Sequence, residues 1–441
     1  MPRSKTYGAN GWQGQVFRDN VFADHLGGDK FSQRKPVQSN DPAPPPAIDP
    51  LAPTFYAGLA NDIDAKVGET LLPGVFSRSS AATFENQLQE LDSAPGNTPR
   101  FSYSGGNLQG HLDEPPVTNK CQVYNANPDA ALSGWLKQGD PAAILTRALD
   151  VSNLAAAKLQ KVCTSGYVYR LDNTSGAANA WVRPNGPTGN TNEHTCTVYW
   201  RGTGTGALGS SSTVGTFSAL PAQYTKKENT VPGTATDEVL QITVAPGAIV
   251  YFVIAQFEEF PFATTSIVTI GAAATRDRDK TSWPMTGYQN QSAGMSAILW
   301  TPRWDHTRLA NGSSEYILLL DILQTTSALF YVAKSGVGQS EFRSVHSGAA
   351  GPLAVLNWTA GTLYLIVVRW TQSGNEHQIA VKTGGTWTDG SVVTYPGTFV
   401  VGSDMALLPV AAFPSNARAL YLWDEDKGLA WLKSYFAGVA N

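Results

Sequence analysis

The sequence predicts an all-β protein: two β-sandwich domains in series, placed after an extended N-terminal arm and a small linker domain. Three observations carry this prediction. Charged residues are only 15% of the chain, while Gly (42) and Pro (27) recur along it; ordinary globular domains hold about 25% charged residues. Apolar residues come in short alternating or β-branched runs separated by Gly, Asn, Pro and Ser, without a sustained helical period. And 441 residues exceed what one compact core serves, so two or three domains are expected.

Residues 1–50 form the expected arm. They carry isolated aromatics (Tyr7, Trp12, Phe17, Phe22 and Phe31) and the run "NDPAPPPAIDP", which is extended and stiff. Free tails hold few large aromatics, so the arm is expected to dock on a partner protein. Residues 51–119 read as a small mixed linker or anchor segment, with one or two helical turns in "TFYAGLANDIDAKVGET" and strands after it. Residues 120–279 read as the first sandwich, from "GYVYRLDN", "HTCTVYWRG" and "EVLQITVAPGAIVYFVIAQFEE". In the last run the turn "VAPGA" predicts a hairpin. Residues 280–441 read as the second sandwich, from "SAILWTPRW", "EYILLLDILQ", "ALFYVAK", "TLYLIVVRWT" and "HQIAVKTGG". Leu429, Leu432 and Phe436 then share one face of a short C-terminal helix, preceded by Asp424, Glu425 and Asp426.

Charge and cysteine usage narrow the function. A net charge of −4 and a pI near 5.9 give no electrostatic case for nucleic-acid binding. The first twenty residues lack an apolar signal core, and no run of about 18 apolar residues occurs, so neither standard export nor membrane insertion is expected. Cys121, Cys163 and Cys196 form no C-x-x-C. The reading favoured is three reduced structural thiols, with a Cys163–Cys196 bridge left open.

Two motif sets carry a family resemblance. The first is "FSRSSAATFEN" followed by "NTPRFSYSGGNLQGHLDEPPVTN", with Arg78, Ala82, Thr83, Asn97, Pro99, Arg100, Phe101, Tyr103, Gly110, Leu112, Glu114, Thr118 and Asn119 in place. The second lies in "QFEEFPFATTSIVTIGAAATRDRD", with Gln256, Glu258, Phe262, Ala263, Thr264, Ile267, Thr269, Gly271, Thr275, Arg276 and Asp279. In this order they resemble a module of tailed-bacteriophage structural proteins, covering about residues 76–279. Asp113 and Val117 depart from its pattern, which has Ile and Arg there, and Pro115–Pro116 interrupt it. The resemblance implies a carbohydrate-binding-like (jelly-roll) sandwich closed by a strap into the next domain. Residues 280–441 are similar, more loosely, to concanavalin A-like (laminin G-like) domains. It also implies a virion component assembled in the host cytoplasm: a homo-oligomer, a trimer by analogy with phage fibres, contacting other virion proteins through its arm and a host surface glycan through its sandwiches.

No motif announces catalysis. Glycoside hydrolysis needs two carboxylates facing across a cleft, yet Glu258 and Glu259 are neighbours on a strand and point to opposite faces. "WDH" (Trp304, Asp305, His306) reads as a loop after a strand, and "GTGTGALG" (202–209) as a flexible loop without the helix a dinucleotide site requires. No cofactor is expected; Ca²⁺ is compatible but not indicated. Sugar binding asks only for an aromatic face and neighbouring hydrogen-bonding groups. Trp200, Trp300 and Trp370 lie in apolar strand patterns and are expected in the core. Trp181, Trp283, Trp304, Trp358 and Trp387 lie in polar or turn-like surroundings; Trp304, Trp358, Trp387 and Asp389 are the glycan-binding candidates.

The expectation is thus a non-enzymatic virion protein of tail-fibre type with glycan-binding sandwiches. A capsid or tail decoration protein is the architectural alternative, and a polysaccharide depolymerase the third.

Overall fold

The structure is a computed structural model. It describes residues 53, 55–59, 62–67, 70–184, 192–233, 238–284, 293–308, 316–321, 328–334, 340–346, 349–371, 376–394, 404–407 and 415–439. The arm aromatics Tyr7, Trp12, Phe17, Phe22 and Phe31 lie outside the described residues. The chain is all-β with antiparallel sheets, and its described helices are short: Val151–Ala156, Leu429–Tyr435 and a 3-10 turn at His306–Arg308.

The first sandwich stacks two five-stranded sheets. One runs in the order Trp135–Gly139, Ala180–Pro184, Leu240–Val244, Thr205–Ser210, Ser218–Ala219; the other Ile144–Leu149, Tyr167–Asp172, Ile249–Glu258, His194–Thr203, Thr225–Val231. Val182, Ile242 and Leu208 of one sheet meet Tyr169, Phe252 and Val198 of the other in a closed apolar core. The predicted hairpin at "VAPGA" is instead an arch, because Leu240–Val244 and Ile249–Glu258 belong to opposite sheets. Each already has a neighbour on both edges, so neither can pair with the other. "GTGTGALG" is likewise no flexible loop: it makes a second arch and then the strand Thr205–Ser210.

The second sandwich draws on both ends of the described chain. Its broad sheet orders Thr386–Asp389, Glu376–Thr383, Tyr364–Thr371, Ala293–Pro302 and Ser415–Trp423, then Phe55–Ala57, Ala65–Val67 and Thr70–Leu72. The hairpin Phe101–Ser104/Asn107–Asp113 pairs with the other half of Ser415–Trp423. The facing sheet of seven strands ends in Val75–Ser77, which pairs with Lys280–Pro284. The segment expected as a separate linker therefore supplies strands to both sheets of the C-terminal sandwich. The helical turns expected near residue 60 are strands there, because an edge of Ser415–Trp423 is available to pair with Phe55–Ala57.

The strand Ala293–Pro302 is buried along both faces. Ile298 and Trp300 point into the core between the sheets, with Trp283, Phe342 and Leu407 opposite. Met295, Ala297 and Leu299 point the other way, under a cluster closed by Leu432 and Phe436 of the C-terminal helix. The buried Lys382 donates from Nζ to the carbonyls of Phe436 (3.1 Å) and Val439 (2.9 Å), fastening that helix end to the sheet. Asp426 is used for anchoring, accepting from the Gly428 amide (2.9 Å) and pairing with Arg369 (2.9 Å).

Candidate functional site

The motif residues converge on one buried junction between the sandwiches. The segment Ala274–Arg276 pairs antiparallel with Val117–Asn119, which brings Arg276 and Asp279 beside Glu114. Asp279 takes Arg78 on one oxygen (2.7 Å) and Arg100 on the other. Arg100 also reaches Glu114 (2.8 Å), and Arg276 lies 3.1 Å from the same carboxylate. Thr265 donates to Glu114 from both its amide (2.7 Å) and its hydroxyl (2.5 Å). All five charged side chains are fully shielded from solvent. Burial alone would raise the Glu114 carboxyl, but Arg276, Arg100 and Arg303 outweigh it and hold it well below the usual carboxylate range.

The second motif set closes the first sandwich around the same place. The side-chain amides of Asn119 and Asn125 both donate to the carbonyls of Ala255 and Ile267. Gln256 accepts from the Ile267 amide (2.6 Å), and Glu258 is bonded by the Thr264 amide and hydroxyl. Glu259, on the opposite face, pairs with Lys120 (2.8 Å). These polar residues hold backbone in place. Cys121, Cys163 and Cys196 are buried and unbridged, and burial pushes the Cys163 thiol up to about 12.

The glycan candidates read from sequence change role. Trp304 and Trp358 are 2% and 0% exposed. Both belong to the core between the two sheets, where their rings meet edge to face at 5.1 Å. Their hydroxyl-rich neighbours in the sequence mark the loop around them, while the side chains themselves turn inward. Neither can offer a ring to a ligand. In the same loop His306 Nδ1 lies 2.9 Å from the Trp358 carbonyl, and Asp305 accepts from the Ala360 amide (2.8 Å). Trp387 is half-buried against the C-terminal helix, with the Lys433 ammonium 5.6 Å from its ring centre. Asp389 pairs with that same Lys433 at 2.6 Å. This pair stitches an edge strand to the helix and does not form an open platform. Trp200, Trp283, Trp300 and Trp370 are core residues, with Trp283 donating to the Ile63 carbonyl (2.7 Å).

An aromatic platform does exist, on the outer face of the first sandwich. In the strand Ala180–Pro184, Ala180, Val182 and Pro184 are buried while Trp181 and Arg183 alternate outward. Trp181 pairs across to Gln138 on one side and Thr243 on the other. Its indole N–H donates to Gln138 Oε1 (3.1 Å), which fixes the ring plane. The ring lies over Gly139, whose φ is +83°; a Cβ there would fall 2.7 Å from two ring carbons. Arg183 donates from Nε to Gln241 Oε1 (2.8 Å), and Gln241 in turn donates to Thr243 Oγ1 (2.8 Å). Beside Trp181, Gln241 and Thr243 of the neighbouring strand line the groove, and the turn at 211–215 contributes Ser211 and Val214 to it. At Gly209 that turn comes so close that a Cβ would sit 2.2 Å from the Thr213 carbonyl.

The result is a shallow groove of about 250 Å³, lined by Trp181, Arg183, Gln241, Thr243, Asn179, Ser211 and Val214. A flat ring beside fixed amide, hydroxyl and guanidinium groups can hold a polar ring that has one C–H face. Among the described residues lining the groove none is a carboxylate, so they supply no acid/base pair for glycoside cleavage. The sequence signal was present: period-two alternation puts Trp181 and Arg183 on one outward face.

No protein-family model matches this chain, and no curated protein matches it. Solved structures with some likeness include the tail fiber protein gp63.1 of an E. coli phage, with 10% identity over 71% of this chain and 41% of that one and a TM-score of 0.22. A mutant of Trypanosoma rangeli sialidase displaying trans-sialidase activity shows 10% identity over 85% and 63%, with a TM-score of 0.26. Lectin UEA-II complexed with galactose shows 7% over 70% and 98%, with a TM-score of 0.17. The chain thus spans about two fifths of the length of the tail fibre protein and under two thirds of the sialidase. At these scores the functional reading rests on the site's own geometry.

Proposed function

We propose that the chain is a non-enzymatic structural protein of a tailed-bacteriophage particle, of tail-fibre or tail-appendage type, whose first sandwich binds a host surface glycan. The observation that carries this reading is the Trp181 groove: an oriented aromatic face and fixed hydrogen-bonding groups without a catalytic pair among its described lining residues. The motif residues at the buried junction support the virion assignment through their resemblance. Residues 1–50 would dock on other virion proteins, and assembly as a homo-oligomer, a trimer by analogy, would raise the avidity of a shallow site. The second sandwich serves here as the mount, since its candidate tryptophans are packed inside it or against its helix.

The test is binding of the full-length protein to intact host cells and extracted surface polysaccharide, with Trp181→Ala beside it. Saturable binding that weakens at least about tenfold in the folded variant supports the reading, since aromatic stacking contributes on this scale. Absence of binding, or binding untouched by Trp181→Ala, would remove it. One observation favours the architectural alternative: the edge strand Ile144–Leu149 exposes Ile144 (58%) and Leu149 (64%), next to Val151 (54%). Exposed apolar edges are ready surfaces for another chain. If charged substitution at Ile144 and Leu149 blocks incorporation into particles while glycan binding is absent, decoration becomes the better account.

A further inference from the structure

The outward row that carries Trp181 begins one residue before its strand. Asn179, Trp181 and Arg183 are two positions apart and all line the groove, each about 6.6 Å from the next along the chain. The backbone under Asn179 is held from several sides. Its carbonyl accepts from the Asp140 amide (3.1 Å), and the amides of Ala177 and Ala178 both donate to Asp140 Oδ2 (2.7 Å each). Asn173 Nδ2 donates to the Ala178 carbonyl (2.8 Å). The Asn179 side chain, by contrast, is exposed, and its carboxamide makes no hydrogen bond among the described residues. Arg183, at the other end of the row, is engaged. Its Nε donates to Gln241 (2.8 Å), its Nη2 donates to the Ser211 carbonyl (3.4 Å), and its guanidinium carbon lies 5.9 Å from the Trp181 ring centre.

We infer that the groove takes an uncharged pyranose, its C–H face on Trp181 and two adjacent hydroxyls on the Asn179 carboxamide, one donating to Oδ1 and the other accepting from Nδ2. This inference rests on the glycan-binding reading above and deepens it. A carboxamide carries an acceptor and two donors in one plane, and a hydroxyl both donates and accepts, so a pair of neighbouring hydroxyls satisfies it on both sides. A ring stacked on Trp181 turns its edge toward Asn179, where those hydroxyls emerge. The stitched turn fixes the backbone before binding, so little ordering is left for the ligand to induce. Arg183 is the one charged residue among the described residues lining the groove. A sugar carboxylate would have to disturb contacts that it already makes, and the net charge of −4 attracts no acidic polymer. Asn179 is thus the specificity-determining residue, and recognition through uncharged groups is little affected by salt.

The experiment measures affinities of the full-length protein for maltoheptaose, mannohexaose and cellohexaose as neutral probes, and for oligogalacturonate and oligosialate as acidic ones. The expected result is a preference of at least about tenfold for one neutral probe over both acidic ones. Its affinity changes less than about twofold between roughly 0.05 and 0.5 M NaCl. Per-O-methylation of that probe, which keeps the C–H face and removes the hydroxyl donors, abolishes binding. Asn179→Ala weakens binding about tenfold, the scale of two hydrogen bonds. Asn179→Asp, which keeps acceptors and loses the donor, weakens it as well. Both variants keep the unfolding temperature of the unaltered protein, because this side chain holds no other part of the fold. An acidic probe bound as well as every neutral one, or neutral binding unchanged in Asn179→Ala, overturns this inference; loss of binding in Trp181→Ala then leaves the glycan-binding reading standing. If no saccharide binds, both the class and the underlying reading fail.

Discussion

Replacing Asp279 by Ala should cost the protein about 4 kcal/mol. The carboxylate sits between Arg78 and Arg100, and all three side chains are fully buried. Its removal leaves the guanidiniums of Arg78, Arg100 and Arg276 with Glu114 as their buried counter-charge. At the effective dielectric that suits buried protein sites, one contact pair is worth about 4 kcal/mol before desolvation. Truncating one partner of a buried pair typically costs about 3–5 kcal/mol, because the other charge stays buried and unpaired. The Asp279 carboxylate also accepts from the Glu114 amide (3.1 Å), so a backbone donor is orphaned too. Residues 41–441 form one compact unit, for which a loss of this size lowers the unfolding temperature by roughly 5 °C. Calorimetry and urea unfolding at pH 7 would read it, with the exposed neighbour Lys280→Ala as control within about 0.5 kcal/mol. A loss below about 1 kcal/mol for Asp279→Ala would refute the view that this junction is a dry, fully engaged charge cluster.

Asp113 offers the reverse change. Its carboxylate is buried with no hydrogen-bond partner on either oxygen among the described residues, and burial followed by repulsion from Asp279 raises its pKa well above the ordinary range. Asp113→Ile is expected to stabilise by about 1–3 kcal/mol at pH 8. The gain shrinks toward pH 4, because a raised folded pKa makes the penalty appear only as pH rises past the unfolded value; an unchanged or lower urea midpoint at pH 8 would contradict this. His111 gives the opposite pH dependence. Burial holds its imidazole down at about 4, so the stability it contributes is present above pH ~6.5 and is lost as pH falls toward 4, about 3 kcal/mol in all. His111→Gln should flatten that part of the stability curve, as urea midpoints between pH 4 and 7 would record. Trp358→Ala, finally, empties part of the core beside Trp300 and Trp304 and is expected to cost about 3–5 kcal/mol; a folded, equally stable variant with altered glycan binding would return Trp358 to the ligand site.

The strands were legible because period-two alternation is local, and it located runs such as 194–202 and 362–371 within a residue or two of the strands observed. Their partners were not legible. Phe55–Ala57 pairs with Leu420–Leu422, more than 360 positions away, and nothing in either run specifies the other. The arches are hidden for the same reason: a Gly turn between two β runs looks alike whether the chain returns to one sheet or crosses to the next. Only the prior occupation of both strand edges decides it.

The site shows the same division between local pattern and distant cover. Trp358 sits among Asn, Thr and Gly in sequence, which reads as exposed, but the facing sheet supplies Phe342 as a wall at 5.9 Å. Trp181 stands in comparable surroundings, yet the turn at 211–215 stops short of covering it and leaves a groove. The difference between a core tryptophan and a platform therefore lies in elements that arrive from elsewhere in the chain. Where alternation survives on both sides, as in Ala180–Trp181–Val182–Arg183–Pro184, the outward face can still be read directly. One of the two residues it places there, the fixed indole of Trp181, is also the one on which the proposed recognition depends.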